Sequence, residues 1–205
     1  MADYSDLFLE TPRLRLRPYV AADANDVFAL FSDPAVMRYW SSAPWTERRQ
    51  ADEFLARDAS SIAEGSSARL GIVRKADGAL IGNCTLFSFD LQCRRAETGY
   101  VLSSAAWGHG YANEAVTALL DWGFEKLHLN RVEADIDPRN MPSARALERL
   151  GFTREGHLRE RWIVNGEVTD SFIYGLLRSE WKTARSASTI GVRSVSGLES
   201  CGVRS

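Results

Sequence analysis

The chain has 205 residues, a formal net charge of −2 at pH 7 and a hydrophobic content of 45%. This length and this apolar content suit one domain with a core of its own. The near-neutral charge, with no dense run of lysine and arginine, disfavours a general nucleic-acid binder.

Cysteine usage and the hydropathy pattern point to a cytoplasmic protein. Cys84, Cys93 and Cys201 lack the spacing of a metal site, and their odd number disfavours a complete disulfide framework. We therefore predict no metal. The first ten residues carry acids where a secretory signal has bases, and no run approaches the ~20 apolar residues of a membrane helix. We expect no membrane segment and no direct nucleic-acid partner.

The N-terminal half predicts a strand, two helices and a hairpin. In chain order these are a strand at 13–17, a helix at 23–31, an aromatic-rich loop at 36–45, a helix at 46–64, and strands at 68–73 and 80–87. Asp33-Pro34 stops the first helix, Thr46 is the predicted N-cap of the second, and Asp77-Gly78 makes the hairpin turn. The loop is either a hydrophobic plug over the core or the wall of a ligand pocket.

The stretch 96–123 predicts a buried strand, a glycine turn and an amphipathic helix. Apolar residues recur at helical spacing from Ala112 to Leu127, and Glu114 suits the positive end of that helix dipole. Gly108 and Gly110 precede the helix. Two glycines let a ligand approach the backbone, and the free amides of the first helical turn favour an anion. The pattern predicts a phosphate or pyrophosphate site or, without a ligand, a tight strand-to-helix turn.

Two known phosphate motifs fit this turn poorly. A P-loop needs Gly-Lys-Ser/Thr at the helix start, and Gly110-Tyr111-Ala112 differs from it. The dinucleotide fingerprint needs a third glycine where Asn113 stands, although Asp135 lies at a suitable distance downstream. A dinucleotide-binding domain stays as a weaker alternative.

The C-terminal half predicts a second strand–helix unit and a hairpin. The elements are a strand at 131–137, a loop at 138–143, a helix to Leu150, a hairpin at 161–169 and a last strand at 172–176. Asn165-Gly166 supplies the two positive-φ positions of a type I′ turn. Residues 183–205 are rich in serine and have no aromatic residue, so we predict one domain at 1–182 and a disordered tail at 183–205.

Two motifs resemble the GNAT acetyltransferase superfamily. The glycine turn resembles its acyl-CoA pyrophosphate loop, Arg/Gln-x-x-Gly-x-Gly/Ala, with Gly110 and Ala112 at the last two fixed positions and Trp107 replacing Arg/Gln. The block from Asn140 to Phe152 resembles the family's Asn-x-x-Ser-x-x-x-x-Glu-x-x-Gly-Phe segment. The Thr11-Pro12-Arg13-Leu14 opening and the Asn-Gly hairpin are similar to those of Rim-type ribosomal-protein N-acetyltransferases.

The resemblance spans about residues 7–181 and implies both a fold and a cosubstrate. The fold is α/β (α+β, three-layer), with a mixed, mostly antiparallel sheet flanked by helices and a C-terminal Asn-Gly hairpin. The cosubstrate is acetyl-CoA, whose pantetheine arm would add to the central strand as an extra strand does. The implied contacts are Val101, Leu102, Trp107, Gly108, His109, Gly110, Tyr111, Ala112, Asn113, Asn140 and Ser143. Asn140 is alternatively a helix cap.

The same resemblance suggests which side chains move protons. Glu97 is the candidate base, acting through a water, or else a solvated strand residue or the partner of Arg94 or Arg95. Ser143 is the candidate proton donor to the leaving thiolate, or else a helix cap. Tyr100 and Tyr174 are rivals for the donor role, because a phenol reaches farther. His109 sits where phosphate is expected, so we interpret it as a loop contact and not as the base.

We therefore expect an N-acetyltransferase that acts on a primary amine. The favoured acceptor is the α-amine of a protein N-terminus, and a small-molecule amine or antibiotic is the alternative. A non-catalytic CoA-binding sensor is the alternative from another class. Tyr39, Trp40 and Trp162 are the candidate acceptor contacts, and the assembly is a monomer or a homodimer.

Overall fold

The computed structural model describes residues 3–183, so the predicted tail lies outside the described residues apart from Thr183. In chain order the elements are β1 (Leu9–Glu10), β2 (Leu14–Arg17), α1 (Ala24–Ser32), α2 (Pro34–Met37), α3 (Arg49–Ala63), β3 (Ser67–Arg74), β4 (Leu80–Asp90), β5 (Arg95–Leu102), α4 (Tyr111–Glu125), β6 (Arg131–Ile136), α5 (Met141–Arg149), β7 (Thr153–Val164) and β8 (Glu167–Leu177). No helix among these described residues is long and apolar enough to cross a membrane.

The strands form one eight-stranded sheet in the order β1-β2-β3-β4-β5-β6-β8-β7. Strands β5 and β6 run parallel, and every other neighbouring pair is antiparallel. The parallel pair requires a crossover, which α4 provides. The predicted mixed, mostly antiparallel sheet is confirmed.

Helices cover both faces of the sheet because its strands alternate between two apolar cores. On β5, Ala96 and Leu102 enter the core that α4 and α5 share with the sheet. Val101 points the other way, into the core formed with α1, α2 and α3. Side chains on successive strand residues point to opposite faces, so one strand serves both cores. The result is the three-layer arrangement predicted from the sequence.

The parallel strands β5 and β6 separate near the middle of the sheet. Only residues Arg95–Glu97 of β5 pair with β6, and their partners there are Arg131–Glu133. Beyond that point β5 continues to Leu102 along β4, while β6 continues along β8. A gap therefore opens between the carboxyl ends of two parallel strands, the place where open α/β sheets bind ligands.

Three local predictions are corrected by the structure. Helix α3 begins at Arg49, and Thr46 is not its N-cap, because the Gln50 side chain accepts the Thr46 and Glu47 amides instead. Pro34 does not lead into a loop but begins the short α2, which Asp33 caps. The last hairpin is also longer than predicted, since β7 begins at Thr153.

Candidate active site

The start of α4 presents main-chain amides that no side chain caps. Gly108 and Gly110 have φ of +79° and +78°, in the left-handed region that glycine tolerates. Gly110 is the N-cap of α4, and no side-chain hydrogen bond is made at this cap. The first-turn amides of Tyr111, Ala112 and Asn113 are therefore available to an anion, which the helix dipole also favours.

A carboxylate inside the fold holds this loop in shape. Glu114 Oε1 accepts from Thr11 Oγ1 at 2.6 Å and from the Arg13 amide at 2.9 Å, and its Oε2 accepts from Arg13 Nε at 2.6 Å. Arg13 Nη1 in turn donates to the His109 carbonyl at 2.9 Å. Burial alone would raise the pKa of Glu114, but the hydrogen bonds from Thr11 and Arg13 outweigh it and hold the pKa below its ordinary value.

Trp107 and His109 also make contacts within the loop. The Trp107 indole Nε1 donates to the Leu102 carbonyl at 2.9 Å, which ties the loop to the end of β5. His109 Nδ1 lies 2.7 Å from the Trp107 carbonyl, and its ring stacks on Tyr111. This placement fits the interpretation of His109 as a loop contact.

The edge of β5 offers main-chain groups to the gap beside it. The main-chain N–H of Ser103 donates to the carbonyl of Ile81 on β4. Main-chain groups of successive strand residues point to opposite sides, so those of Ser103, Val101 and Gly99 face β4. The N–H groups of Leu102 and Tyr100 therefore face the gap. The side chains of Val101 and Leu102 are only 4% and 7% exposed, so these two residues can contact a ligand mainly through the backbone.

A cavity of about 920 Å³ lies beside the gap. Its wall comes from the strands β3, β4, β5 and β6, the helices α1, α2, α3 and α5, the loop around Tyr39 and the β7–β8 hairpin. The predicted catalytic and acceptor residues share this wall, namely Tyr39, Trp40, Glu97, Tyr100, Asn140, Ser143 and Trp162. The loop 107–113 is not part of this wall, so the two halves of the predicted site remain separate regions.

Tyr100 and Ser143 form one hydrogen-bonded unit. The Tyr100 hydroxyl lies 3.0 Å from Ser143 Oγ. Burial raises the pKa of Tyr100, more than contact with Ser143 and the charge of Arg149 lower it, so the phenol stays protonated at neutral pH. A protonated phenol that is hydrogen-bonded to a second hydroxyl can supply a proton.

Asn140, and not Ser143, caps α5. Its Oδ1 accepts from the Ser143 amide at 3.2 Å, which leaves its Nδ2 as a donor. Tyr174, the other predicted rival, is 2% exposed and donates to Glu148 at 3.3 Å. It does not line the cavity.

Glu97 faces the cavity without a partner. Within residues 3–183 no hydrogen bond or ion pair involves its side chain, and Arg95 pairs instead with Glu133 at 2.8 Å. The cavity wall contains four carboxylates, Glu97, Asp135, Asp137 and Glu167, and four arginines, Arg38, Arg69, Arg139 and Arg161. Glu97 is the one carboxylate of the four without an arginine partner in the described chain.

The other three carboxylates of the wall are paired. Asp137 and Glu167 contact Arg139 at 2.6 and 2.5 Å. Asp135 lies 3.7 Å from Arg161. The described residues contain no cluster of three side chains able to hold a metal ion.

Sequence reasoning did not identify the floor of the cavity. Arg69 from β3 and Asn83 and Thr85 from β4 form it. The available signal was weak: Asn83 and Thr85 are two polar residues, spaced for one face, among the otherwise non-polar residues from Leu80 to Phe87.

Comparison with known proteins places the chain in a family. The model of the acetyltransferase (GNAT) domain matches residues 13–153. The chain is 38% identical over 173 residues to the uncharacterized N-acetyltransferase p20 of Bacillus licheniformis, covering 84% of this chain and 97% of that protein. It is 38% identical over 106 residues to YdaF of Bacillus subtilis, covering 52% of this chain and 58% of that protein, which is provisionally named a ribosomal N-acetyltransferase.

A solved structure supports the fold. The spermidine N-acetyltransferase of Vibrio cholerae, in complex with CoA and spermine, is similar with a TM-score of 0.75 and 24% identity, over 84% of this chain and 99% of that one. This structural similarity supports the fold alone. The family match and the similarity to p20 support the activity. The chain therefore belongs to the GNAT acetyltransferase family and is an N-acetyltransferase.

Proposed function

We propose that this enzyme transfers an acetyl group from acetyl-CoA to the α-amine of a protein N-terminus. The observation that carries the proposal is the unpaired Glu97 in a wall where every other carboxylate is bound to arginine. One free carboxylate suits an acceptor with one ammonium group.

The residues present fit acetyl-CoA. The open amides from Tyr111 to Asn113 suit a pyrophosphate, because they combine free N–H donors with the positive end of the α4 dipole. The N–H groups of Tyr100 and Leu102 suit an extended chain that contains amides, as an added strand does. Asn140 Nδ2 is a further donor, since only its Oδ1 is used in capping α5. When bound, acetyl-CoA supplies the acetyl group as a thioester.

The side chains divide the proton transfers between them. Glu97 accepts the proton of the acceptor ammonium through a water, which frees the nitrogen lone pair to form the new C–N bond. The Leu102 N–H stabilises negative charge on the carbonyl oxygen. As the C–S bond breaks, Tyr100 gives its proton to the sulfur, and Ser143, at 3.0 Å, gives its own proton to the phenolate while it takes one from solvent. The nitrogen releases its second proton to solvent as the amide forms.

Two properties favour a protein N-terminus as the acceptor. An α-amine with a pKa of about 8 needs less help from a base than a lysine at about 10.4. A polyamine carries several ammonium groups, but among the described residues of the wall Glu97 is the one free carboxylate, and four arginines stand beside it in that wall. A peptide, which has one ammonium followed by neutral groups, matches this charge balance better.

The first experiment measures melting temperature with acetyl-CoA, NAD and ATP. Ligand at about 100 times its dissociation constant stabilises a fold by about 2.7 kcal/mol, which for a chain of this size is a shift of roughly 5–10 °C. We expect the shift with acetyl-CoA alone. The absence of any shift would contradict the donor assignment, and a shift with NAD would favour a dinucleotide site.

The second experiment measures thiol release with an acceptor panel. The panel contains short peptides with a free N-terminus, the same peptides blocked at the N-terminus, spermidine and an aminoglycoside. We expect a higher kcat/KM for the free peptides than for the other amines, and loss of turnover on blocking. A higher kcat/KM for spermidine or the aminoglycoside would overturn the acceptor assignment.

A further inference from the structure

One positive and one negative charge in the cavity wall lack a counter-charge within the described chain. Three of the four wall arginines lie 3.7 Å or less from a carboxylate, namely Arg69 from Asp58, Arg139 from Asp137 and Glu167, and Arg161 from Asp135. Arg38 is the fourth, and no hydrogen bond or ion pair with another described residue involves its side chain. Glu97 is the corresponding carboxylate. An unpaired charge that faces a cavity attracts a ligand group of opposite sign.

The chain on both sides of Arg38 is fixed, which gives its guanidinium a defined place on the wall. Met37, the last residue of α2, is 3% exposed and belongs to the core formed with α1 and α3. The Trp40 amide donates to the Met37 carbonyl at 3.0 Å, and the Trp40 ring meets the Phe31 ring edge to face, with 5.6 Å between their centres. The Arg38 guanidinium lies 5.2 Å from the centre of the Tyr39 ring, which also lines the cavity. A cation over an aromatic face is held by electrostatic attraction to the ring.

The two unpaired charges differ in depth. Glu97 is half-buried on the central strand, whereas Arg38 is an exposed residue, so Arg38 lies nearer the solvent side of the cavity. A sphere of about 920 Å³ is about 12 Å across, and an extended chain advances about 3.3 Å per residue, so three to four residues span such a cavity. An acceptor peptide whose ammonium group reaches Glu97 therefore carries its second and third residues toward the solvent side, where Arg38 lies.

We propose that Arg38 determines specificity by binding an acidic side chain at the second or third residue of the acceptor. The inference rests on the proposed acetylation of protein N-termini and states which N-termini are preferred. A neutral peptide complements Glu97 alone, whereas a peptide with an acidic side chain complements both unpaired charges of the wall. The guanidinium repels a lysine or arginine at the same place.

The test compares pairs of acceptor peptides that differ by one charge. Acetyl-CoA is the donor, and each peptide has a free N-terminus. One pair has aspartate or asparagine at position 2, and the other has glutamate or glutamine at position 3. We expect kcat/KM to be about fivefold higher for the acidic member of at least one pair, through a lower KM, which is the value of a good exposed ion pair. Salt at about 1 M should reduce this preference, because it screens exposed charges.

Variants of Arg38 assign the preference to this side chain. Arg38→Gln should bring the ratio of kcat/KM within each pair to about one. Arg38→Glu should reverse the preference, so that a peptide with lysine at the same position is a better acceptor than the acidic peptide. Arg57→Gln is the matched control, because Arg57 is an exposed arginine of α3 outside the cavity wall, and the ratio should keep its parent value. Thermal melts confirm that each variant folds.

The possible failures are distinguishable. Equal kcat/KM within both pairs in the parent, or a preference that persists in Arg38→Gln, would overturn the subsite and leave the proposed function intact. Loss of the preference in Arg57→Gln as well would overturn it too, because net charge and not a contact with Arg38 would then set the preference. Free glutamate and glutamine form a further pair. A parent enzyme that acetylates these amino acids but no peptide would refute the proposed function itself.

Discussion

The two halves of the site are built from different parts of the polypeptide. At the start of α4 the groups offered to a ligand are main-chain amides, while the side chains of Arg13 and Glu114 turn inward and hold the loop. In the cavity the groups offered are side chains, and Glu97 and Tyr100 are contributed by the central strand. The donor half of the site, at the start of α4, therefore depends on backbone shape. The acceptor half, in the cavity, depends on individual functional groups. Substitutions can distinguish the two halves, because a change in the donor half should alter CoA affinity and a change in the acceptor half should alter turnover.

The largest effect is expected for Gly110→Val, which changes the backbone conformation of the donor half and should abolish CoA binding. A β-branched residue resists φ of +78°, and its side chain would occupy the space in front of the first-turn amides. We expect CoA binding to be lost, measured by calorimetry on the folded protein. Gly78→Val is the matched control, because Gly78 has φ of +72° and no heavy atom lies within 4 Å of an added Cβ. Tight CoA binding by a folded Gly110→Val protein would refute this placement of the site.

The next largest effect is expected for Glu97→Gln, which leaves the donor half intact. Removing a general base lowers kcat by about 10²–10³-fold, and the dissociation constant of CoA should not change. Glu133→Gln is the matched control, because Glu133 is the register partner of Glu97 on β6 but is bound to Arg95 and Arg131. Similar losses in both variants would show that Glu97 acts through the structure of the sheet and not as the base.

Tyr100→Phe and Ser143→Ala test whether two hydroxyls act as one unit. Each substitution removes one member of a pair 3.0 Å apart, and we expect each to lower kcat about tenfold. Because groups in one relay are not additive, the double variant should lose little more than either single variant. Single-turnover measurements of thiol release separate this step from product release. Losses that multiply in the double variant would mean that the two hydroxyls act independently.

The same contrast explains how much the sequence could predict. The donor half lies in one continuous stretch, so glycine positions and helical periodicity were enough to locate the turn and α4. The acceptor cavity depends on register between distant segments, such as Asn83 opposite Val101 or Arg139 bound to Glu167. Local patterns carry no information on such pairings, so Arg69, Asn83 and Arg139 were missed.

The errors in element boundaries also have physical causes. Strand β7 is mostly exposed along its length, so it lacks the alternation that marks a half-buried strand, and its first eight residues were missed. Its pairing with β8 shifts register between Leu158 and Trp162, which further disturbs the pattern. At α3 the side chain of Gln50 accepts the amides before the helix, a role that the sequence pattern assigned to Thr46.

The smallest effect concerns the carboxylate that holds the donor loop. Glu114→Ala removes three hydrogen bonds to a largely buried charge, and we expect a loss of about 2 kcal/mol at pH 7. For a chain of this size that corresponds to a melting temperature lower by about 4–8 °C. Glu125→Ala, at the exposed far end of α4, is the control and should change stability by less than about 0.5 kcal/mol.

The pH dependence of this difference identifies the ionised carboxylate as its source. The pKa of Glu114 is lower in the folded protein than in the unfolded chain, so its contribution is complete above the ordinary glutamate pKa of about 4.3 and is lost as the pH falls through the lower folded pKa. Thermal melts of the parent and of Glu114→Ala from neutral to acid pH should therefore converge as the pH falls below about 4.3 and through that lower folded pKa. A difference that persisted unchanged in acid would mean that packing, and not the charge of Glu114, holds the loop. The donor half would then depend on side-chain volume as well as on backbone shape.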